Sequence, residues 1–470
     1  MAGEALLGVD LGTSGVKAVV VDHRAGVLGE AEAAYPVRAP RPGWAETDPA
    51  DWWRATVEAV RRALAAAGNP RVAAVGVDGQ MHGLVLARAD GVPVRLALLW
   101  ADRRATAELR AWHALAEADR RALANPLVPG MTGPLLAWVA RHEPHVLAEA
   151  RWALLPKDWL RLRLTGRAAT EPSDASATLL WDVPADTWSE AALRAAGAED
   201  LLAPLVASDE TAGGLSAGAA EELGLAAGTA VAAGAGDTPA ALLAAGLAEG
   251  GAQLSIGSGA QIVTASRDAG AVAGVHVYRT AERTGWYRMA AVQNAGVALE
   301  WVRALLGATW EEVYAAAAGE PEEGGVVFLP HLTGERTPAL GRVGALSGLR
   351  LDTGRTEILR AAVEGVAFTV RHAAALLPGG LPPAVRLAGG GARDPRFRAL
   401  LADVLGVELH PVRLRSASAL GAARLAARAA GEPMARPRPQ RDPVVRPTHR
   451  KEIYDVKFRR YLTRLDQTAE

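Results

Sequence analysis

The 470-residue chain contains no cysteine, so it can form neither disulfide bonds nor thiolate metal sites. It also carries almost no net charge, because 51 Lys and Arg residues nearly balance 52 Asp and Glu residues. No global electrostatic field therefore favours nucleic acid or an anionic membrane as a partner. The most apolar tract, residues 229–248, is interrupted by Asp237 and Pro239 and is too broken to span a bilayer.

The first residues, Met1 to Ala5, lack the basic and apolar regions of a signal peptide. We therefore expect a cytoplasmic protein. Half of the residues are hydrophobic and 22% are charged, which is typical of a globular protein. The length allows two or three domains with large cores.

The segment from Leu6 to Asp22 predicts a β-hairpin. Two apolar runs of strand composition, one ending at Val9 and one covering residues 16–21, flank the turn sequence Gly12-Thr13-Ser14-Gly15. Glycines in such a turn let successive backbone N–H groups converge on an anion. The tip of this hairpin therefore has the size and chemistry of a phosphate site.

Side chains in the same hairpin add to this chemistry. The hydroxyl groups of Thr13 and Ser14 are donors, and Lys17 adds a positive charge. Asp10, at the end of the first strand, can hold a hydrated magnesium ion beside the phosphates. For a single copy of this pattern, an ordinary tight hairpin with Asp10 as a turn former is the better interpretation.

A second copy favours the phosphate interpretation. Residues 253–265 again read as a strand, a Gly257-Ser258-Gly259 turn and a strand. One such unit in each half of the chain predicts two similar lobes that hold a polyphosphate between their turns. Neither unit matches a P-loop, and neither turn leads into a helix as a dinucleotide fingerprint would.

A polar loop follows the buried strand predicted over residues 72–77. It reads Asp78-Gly79-Gln80-Met81-His82-Gly83, and ligands of α/β sheets bind outside the carboxyl ends of strands. Gln80 and His82 supply donors and acceptors suited to a polyhydroxylated ligand. A turn with a capping histidine explains the same residues equally well.

Two further segments have candidate ligand-binding chemistry. Asp237 is predicted at a helix N-terminus, with Pro239 near the first helical position. Its carboxylate is either the N-cap of this helix or the group that accepts a hydroxyl proton during phosphoryl transfer. The run Gly389-Gly390-Gly391 follows a predicted strand, and its bare backbone permits adenine and ribose to lie against it. A loop without a ligand is the alternative.

The paired hairpins resemble those of the actin-like ATPase superfamily, and the whole chain resembles the FGGY carbohydrate kinases, most closely the xylulokinases. The segments that carry the resemblance are residues 10–17, 79–83, 154–166, 236–237, 328–338, 389–393 and 419–425. The resemblance implies an α/β fold with two duplicated actin-like (ribonuclease H-like) lobes and a cleft between them. It places the sugar kinase domains at residues 1–245 and 246–470, with a connector at 431–447 and a final helix at 452–465.

The resemblance also implies roles for individual residues in the transfer of the ATP γ-phosphoryl group to the 5-hydroxyl of D-xylulose. Asp237 is the implied general base and Asp10 the magnesium residue. The implied sugar contacts are Gln80, Met81, His82, Asp237 and Thr238, and the implied ATP contacts are Thr13, Ser14, Lys17, Gly257, Ser258, Gly389, Gly390 and Gly391. The implied partners are a ketopentose and ATP, with no nucleic acid or membrane; a homodimer is compatible with this.

Two positions depart from the family pattern. Thr238 stands where the family usually has Asn, and Gly257-Ser258-Gly259-Ala260 stands where it usually has Gly-Thr-Ser-Gly. The first departure leaves open a kinase for another ketose, such as ribulose, or for a polyol. An actin-like ATPase that acts as a switch or sugar sensor is the alternative from another class, and the loop at 80–82 together with Asp237 argues against it.

Overall fold

Two mixed β-sheets, one in each half of the chain, form the framework of the computed structural model. The structure describes residues 4–197, 199–334, 343–432 and 434–467. Residues 335–338 of the segment predicted at 328–338 lie outside the described residues.

The elements of the first half are, in chain order, β1 (Ala5–Leu11), β2 (Gly15–Val21), β3 (Val27–Ala34), β4 (Glu46–Thr47), α1 (Pro49–Ala66), β5 (Val72–Gly79), β6 (Val85–Ala87), β7 (Ala97–Leu98), α2 (Leu109–His113), α3 (Glu117–Ala122), α4 (Thr132–His142), α5 (Pro144–Glu149), β8 (Trp152–Leu154), α6 (Pro156–Thr165), α7 (Pro172–Ala175), β9 (Trp181–Asp182), β10 (Thr187–Trp188), α8 (Glu190–Ala196), β11 (Thr211–Gly214), α9 (Ala217–Leu223), β12 (Ala230–Ala232), β13 (Ala235–Gly236) and α10 (Asp237–Ala245).

Those of the second half are β14 (Ala252–Ile256), β15 (Ala260–Ser266), β16 (His276–Arg279), β17 (Trp286–Val292), α11 (Gly296–Leu305), α12 (Trp310–Ala318), β18 (Val327–Leu329), β19 (Ala345–Ser347), α13 (Arg355–Ala374), β20 (Ala384–Ala388), α14 (Pro395–Leu405), β21 (Glu408–Arg413), α15 (Ala417–Ala429), β22 (Gln440–Arg441) and α16 (Lys451–Gln467).

The two sheets repeat one topology, which confirms the predicted duplication. In the first, the antiparallel strands β1, β2 and β3 are followed on the other side of β1 by the parallel strands β5 and β12. In the second, β14, β15 and β17 form the antiparallel part, and β20 and β21 are the parallel strands. Both predicted hairpins, β1–β2 and β14–β15, therefore occupy equivalent places.

Each sheet has its own apolar core, and a third core lies where the two halves meet. The first packs around α1, and the second around α13, α14 and α16. The third joins Met81 and Leu84 of the first half to Tyr278 and Tyr287 of the second, so that strands β16 and β17 pack against the first half.

Helix α15 belongs to the second half by sequence but packs on the first sheet. Along β1 and β5 alternate residues point toward it, because successive side chains of a strand face opposite sides. Gly8 and Gly76 form a register pair on that face. A Cβ atom at either would overlap the carbonyl oxygen of Ala419 or Ala422, so this close approach of helix and sheet requires glycine.

The structure rules out one of the two interpretations of Asp237. Asp237 is not an N-cap: Gly236 is the cap residue and Asp237 is the first residue of α10. This places the carboxylate inside the first helical turn rather than in front of it.

The predicted final helix is α16, whose Tyr454, Tyr461 and Leu465 are buried against the second core. The boundary between residues 245 and 246 stays a prediction; it falls between α10 and the first strand of the second sheet. Among the described residues, no helix is both long and apolar enough to cross a membrane.

The contact of Gly76 with α15 predicts a measurable loss of stability for Gly76→Ala. The added methyl group has no space beside the carbonyl of Ala422, and overpacking of this kind costs roughly 1–3 kcal/mol of the free energy of unfolding.

Gly218→Ala in α9 is the matched control, because nothing lies within 4 Å of its Cβ position. Alanine there should be neutral or stabilising by up to about 1 kcal/mol. Equal melting temperatures for the two variants would contradict this account of the packing.

Candidate active site

The first hairpin presents a compact turn. The backbone N–H of Gly12 donates to the carbonyl of Gly15 at 3.0 Å, and the indole N–H of Trp100 donates to Thr13 Oγ1 at 3.0 Å. Ser14 is exposed at the tip, and its carbonyl accepts from the N–H of Tyr35. The turn is thus fixed from behind while its tip faces solvent.

The second hairpin lies against the start of α11. The carbonyl of Gly257 accepts from the N–H of Gly296, and the carbonyl of Ser258 accepts from the N–H groups of Ala295 and Val297. Gly257 and Ser258 are both exposed. The helix therefore holds the turn through its backbone and leaves the two predicted phosphate contacts accessible.

A cavity of about 890 Å³ adjoins this second turn. It brings together four of the residues predicted to contact ATP: Gly257, Ser258, Gly390 and Gly391. Gly389 does not line it but has φ of 93°, and a Cβ there would overlap the carbonyl oxygen of Ile256. Its role is to let the glycine run pass close to β14.

Aromatic residues that the sequence reasoning missed line the same cavity. Trp310 and Tyr314, one helical turn apart on α12, stack with ring centroids 5.6 Å apart, and Val297 and Arg393 line the cavity with them. An i, i+4 aromatic pair at the start of a helix was the only signal in the sequence. The cavity thus offers both flat apolar surface and bare backbone, which suits a purine nucleoside.

A row of charged residues crosses the first sheet. Glu32 pairs in register with Lys17, Lys17 with Asp10, and Asp10 with Asp78, on neighbouring strands. Lys17 Nζ lies 3.7 Å from the carboxylate of Glu32. Burial raises the pKa of Asp10, against the opposing effects of a hydrogen bond with Asp78 and the charge of Lys17. Asp78 was not singled out from the sequence.

Asp237 lies beside this row. Strand β13 runs parallel to β5, with Ala235 opposite Asp78, and Asp237 follows it directly. The three acids therefore stand at the carboxyl ends of adjacent parallel strands. Asp237 keeps some access to solvent, but the surrounding protein desolvates its carboxylate and, together with the charge of Asp10, raises its pKa to about 7. The N–H and hydroxyl of Thr238 donate to Asp237 Oδ1 at 2.5 and 3.2 Å.

The backbone before Asp237 is held by two side chains of the first half. The guanidinium of Arg161 donates to the carbonyl of Ala233, and the N–H of Gly236 donates to the hydroxyl of Ser173 at 3.1 Å. Ser173 in turn donates to the carboxylate of Glu171 at 2.8 Å. The position of the predicted base thus depends on residues more than sixty positions earlier.

Those residues belong to a fully buried ionic cluster around Lys157. Its Nζ lies 2.7 Å from Asp158, 3.2 Å from Glu171 and 3.0 Å from Asp174. Burial alone would lower the pKa of Lys157, but the three carboxylates raise it overall. For the acid Asp174 burial has the opposite effect and raises the pKa to about 8.

The predicted sugar loop, residues 80–83, faces β16 and β17. His82 has φ of 64°, its Nδ1 lies 2.6 Å from the carbonyl oxygen of Ala177, and its ring lies 5.8 Å from that of Tyr278. The hydroxyl of Tyr287 donates to the sulfur of Met81 at 3.5 Å. Tyr278 and Tyr287 come from far along the chain, and no local pattern marked them.

Gln80 points in another direction. Its Nε2 donates to the carbonyl of Gly12 at 3.4 Å and to the hydroxyl of Tyr35 at 3.3 Å. These contacts brace the first phosphate turn from below, and the role of Gln80 as a sugar contact stays a prediction.

The donor set at Asp10 fits a magnesium ion. Asp10 Oδ1 is buried, and no N–H group or hydroxyl of the residues that the structure describes donates to it. No set of three or more His, Asp or Glu side chains within the described ranges is arranged to hold a metal. Magnesium typically takes one or two carboxylates and completes its shell with water and substrate phosphates, so a complete protein cage is not required.

Comparison with known proteins gives the same picture over nearly the whole chain. Residues 5–244 and 252–430 match the N-terminal and C-terminal domains of the FGGY family of carbohydrate kinases. The xylulose kinase of Escherichia coli (strain K12) is 36% identical over 439 residues, 89% of each chain.

Solved structures agree in fold. A xyloylose kinase from Brucella ovis aligns with a TM-score of 0.91 at 34% identity, and a xylulose kinase from Rhodospirillum rubrum with 0.90 at 26%. Both alignments cover 99% of each chain. The predicted actin-like architecture is therefore confirmed, and with both domain models matched the chain belongs to the FGGY family of carbohydrate kinases, which are ATP-dependent sugar kinases.

Proposed function

We propose that this protein transfers the γ-phosphoryl group of ATP to the 5-hydroxyl of D-xylulose, giving D-xylulose 5-phosphate and ADP. The observation that carries the proposal is the position of Asp237, with its raised pKa, beside the charged row that contains Asp10 and directly after Gly236, which abuts the side chain of Met81. The relatives named xylulose kinase support the choice of sugar.

In this reaction Asp237 accepts the proton of the attacking hydroxyl. The hydroxyl oxygen forms the new bond to the γ-phosphorus as the bond from that phosphorus to the bridging oxygen of ADP breaks. Thr238 holds the carboxylate through Oδ1, which leaves Oδ2 to face the substrate. Met81, His82 and Thr238 are the proposed sugar contacts on this side of the cleft.

The nucleotide occupies the other side in this proposal. Trp310 and Tyr314 flank the base, and Gly390 and Gly391 lie along the ribose. Gly389, which is also a proposed ATP contact, precedes them where the chain passes close to β14. The turns at 13–14 and 257–258 donate to the phosphates together with Lys17. Asp10 would hold the magnesium ion, which supplies positive charge to the phosphates as negative charge develops. The domain boundary near residue 245 and a homodimer remain proposals.

The direct test is a coupled assay of ADP release with D-xylulose, D-ribulose, glycerol and no sugar. We expect the highest kcat/KM with D-xylulose and only slow hydrolysis without sugar. A higher value with D-ribulose or glycerol would overturn the choice of substrate and point to Thr238 as its cause. ADP release that no sugar accelerates would favour the ATPase switch instead.

Asp237→Asn should remove activity without loss of fold. The amide keeps the shape of the side chain but accepts no proton, and a general base typically contributes ~10² to 10⁴ in rate, so kcat should fall by that factor. The pKa of Asp237 is higher in the folded protein than its ordinary value of about 3.9. Ionisation of this group therefore lowers the free energy of unfolding increasingly as pH rises from about 4 through 7. The variant should therefore melt at or above the wild-type temperature at pH 8. Near-normal kcat would refute the assignment, and a lower melting temperature would mean misfolding.

The same pKa predicts the pH profile. Since the base must be deprotonated, kcat/KM for the sugar should fall tenfold per unit as pH drops below the pKa of Asp237, about 7 in the protein alone. A cation at Asp10 stabilises the carboxylate, so higher Mg²⁺ concentrations should shift this acid limb to lower pH. An acid limb that survives unchanged in the residual activity of Asp237→Asn would assign it to another group.

A further inference from the structure

Asp78 is a buried acid at the centre of the site for which the proposed reaction has no use. It stands in register with Asp10 on the neighbouring parallel strand, so that both side chains leave the same face of the sheet. Its exposed fraction is 0%. Among the described residues, no N–H group or hydroxyl donates to either carboxylate oxygen of Asp78 or to the adjoining Oδ1 of Asp10, so the carboxyl group of Asp10 is the hydrogen-bonding neighbour of Asp78.

The nearby cations are engaged elsewhere. Lys17 lies on the far side of Asp10 and pairs with Glu32. Lys157 Nζ contacts three other carboxylates. Burial raises the pKa of Asp78 well above its usual value, and the charged neighbours that add to this effect are the acids Asp10, Asp237 and Asp174.

A buried carboxylate beside other acids is costly unless a cation meets it. In the absence of a cation, Asp78 hydrogen-bonds only by sharing a proton with Asp10, because among the described residues no N–H group or hydroxyl donates to its oxygens. The facing oxygens of Asp78 and Asp10 lie at the carboxyl ends of β5 and β1, next to the turn proposed to bind phosphates. Magnesium at phosphate-transfer sites typically takes one or two carboxylates from the protein, so this pair fits its coordination.

We propose that Asp78 is a second carboxylate ligand of the divalent cation held by Asp10. This rests on the proposed function, since it is the Mg²⁺·nucleotide that brings the ion to the site. The row from Lys17 to Asp78 then contains two carboxylates, Asp10 and Asp78, but only one protein cation, Lys17. The bound metal ion supplies positive charge to balance the second carboxylate.

The test measures metal binding rather than turnover. Full-length wild type, Asp78→Asn and Glu32→Gln are saturated with ADP in the absence of sugar, and Mn²⁺ binding is followed by the electron paramagnetic resonance signal of the free ion, with ADP alone as the blank. Glu32→Gln is the matched control: it makes the same change of charge in the same row, two strands from Asp10, at an exposed position.

We expect Asp78→Asn to raise the Kd for Mn²⁺ by at least ~10-fold, since even outer contacts of metal sites contribute ~10- to 100-fold. Glu32→Gln should change it by no more than about twofold, because an exposed charge is screened. If Asp78→Asn also stays within that range, the proposal is wrong.

A cycle with Asp10→Asn separates one shared ion from two. If both acids bind the same ion, the double variant loses less affinity than the sum of the two single losses. Additive losses would overturn the proposal. Melting curves without metal verify folding, and Asp78→Ser replaces the asparagine variant if that one does not fold.

Failure of the proposed function gives a different result. If the protein phosphorylates no ketopentose, the choice of sugar is refuted. The Mn²⁺ titration is done without sugar, so its result depends only on the role of Asp78 in metal binding.

Discussion

The site depends on how closely helix α15 approaches strands β1 and β5. The alternation of each strand puts Leu6, Gly8 and Asp10, and likewise Ala74, Gly76 and Asp78, on the face that the helix covers. The glycine pair removes the side chains where the helix backbone passes. The next register pair along the strands is Asp10 and Asp78, so the same packing that joins the second half of the chain to the first sheet sets two acids at the edge of the cleft.

A second constraint is electrostatic. Asp10, Asp78, Asp174 and Asp237 gather within one region, and desolvation raises the pKa of each. The fully buried Lys157 offsets part of this charge and, through Glu171 and Ser173, also fixes the backbone before Asp237. Breaking such a cluster by removing one partner leaves an uncompensated buried charge. The stability of this region and the placement of the base therefore cannot be altered independently.

The parts of the site that could be predicted are those whose signal is local. A hairpin needs only two short strands and a turn, so both phosphate turns, with Asp10 and Ser258, were visible in the sequence. Asp78 acquires its meaning from its register with Asp10, almost seventy residues away, and no window around it contains that information. Tyr278 and Tyr287 reach the Met81–His82 loop only because β16 and β17 cross to the first half.

The contacts between the halves are unequally distributed, and this limits how they can move. At the sugar end, Asn125 exchanges hydrogen bonds with the backbone of Val277 in both directions, and the hydroxyl of Ser176 accepts from the N–H of Arg279. These bonds tie β16 to the first half beside Tyr278. The nucleotide cavity, by contrast, is lined by residues of the second half alone. A motion of one half against the other therefore leaves this cavity intact, whereas at the sugar end it has to break the bonds of β16 or carry β16 along with the first half.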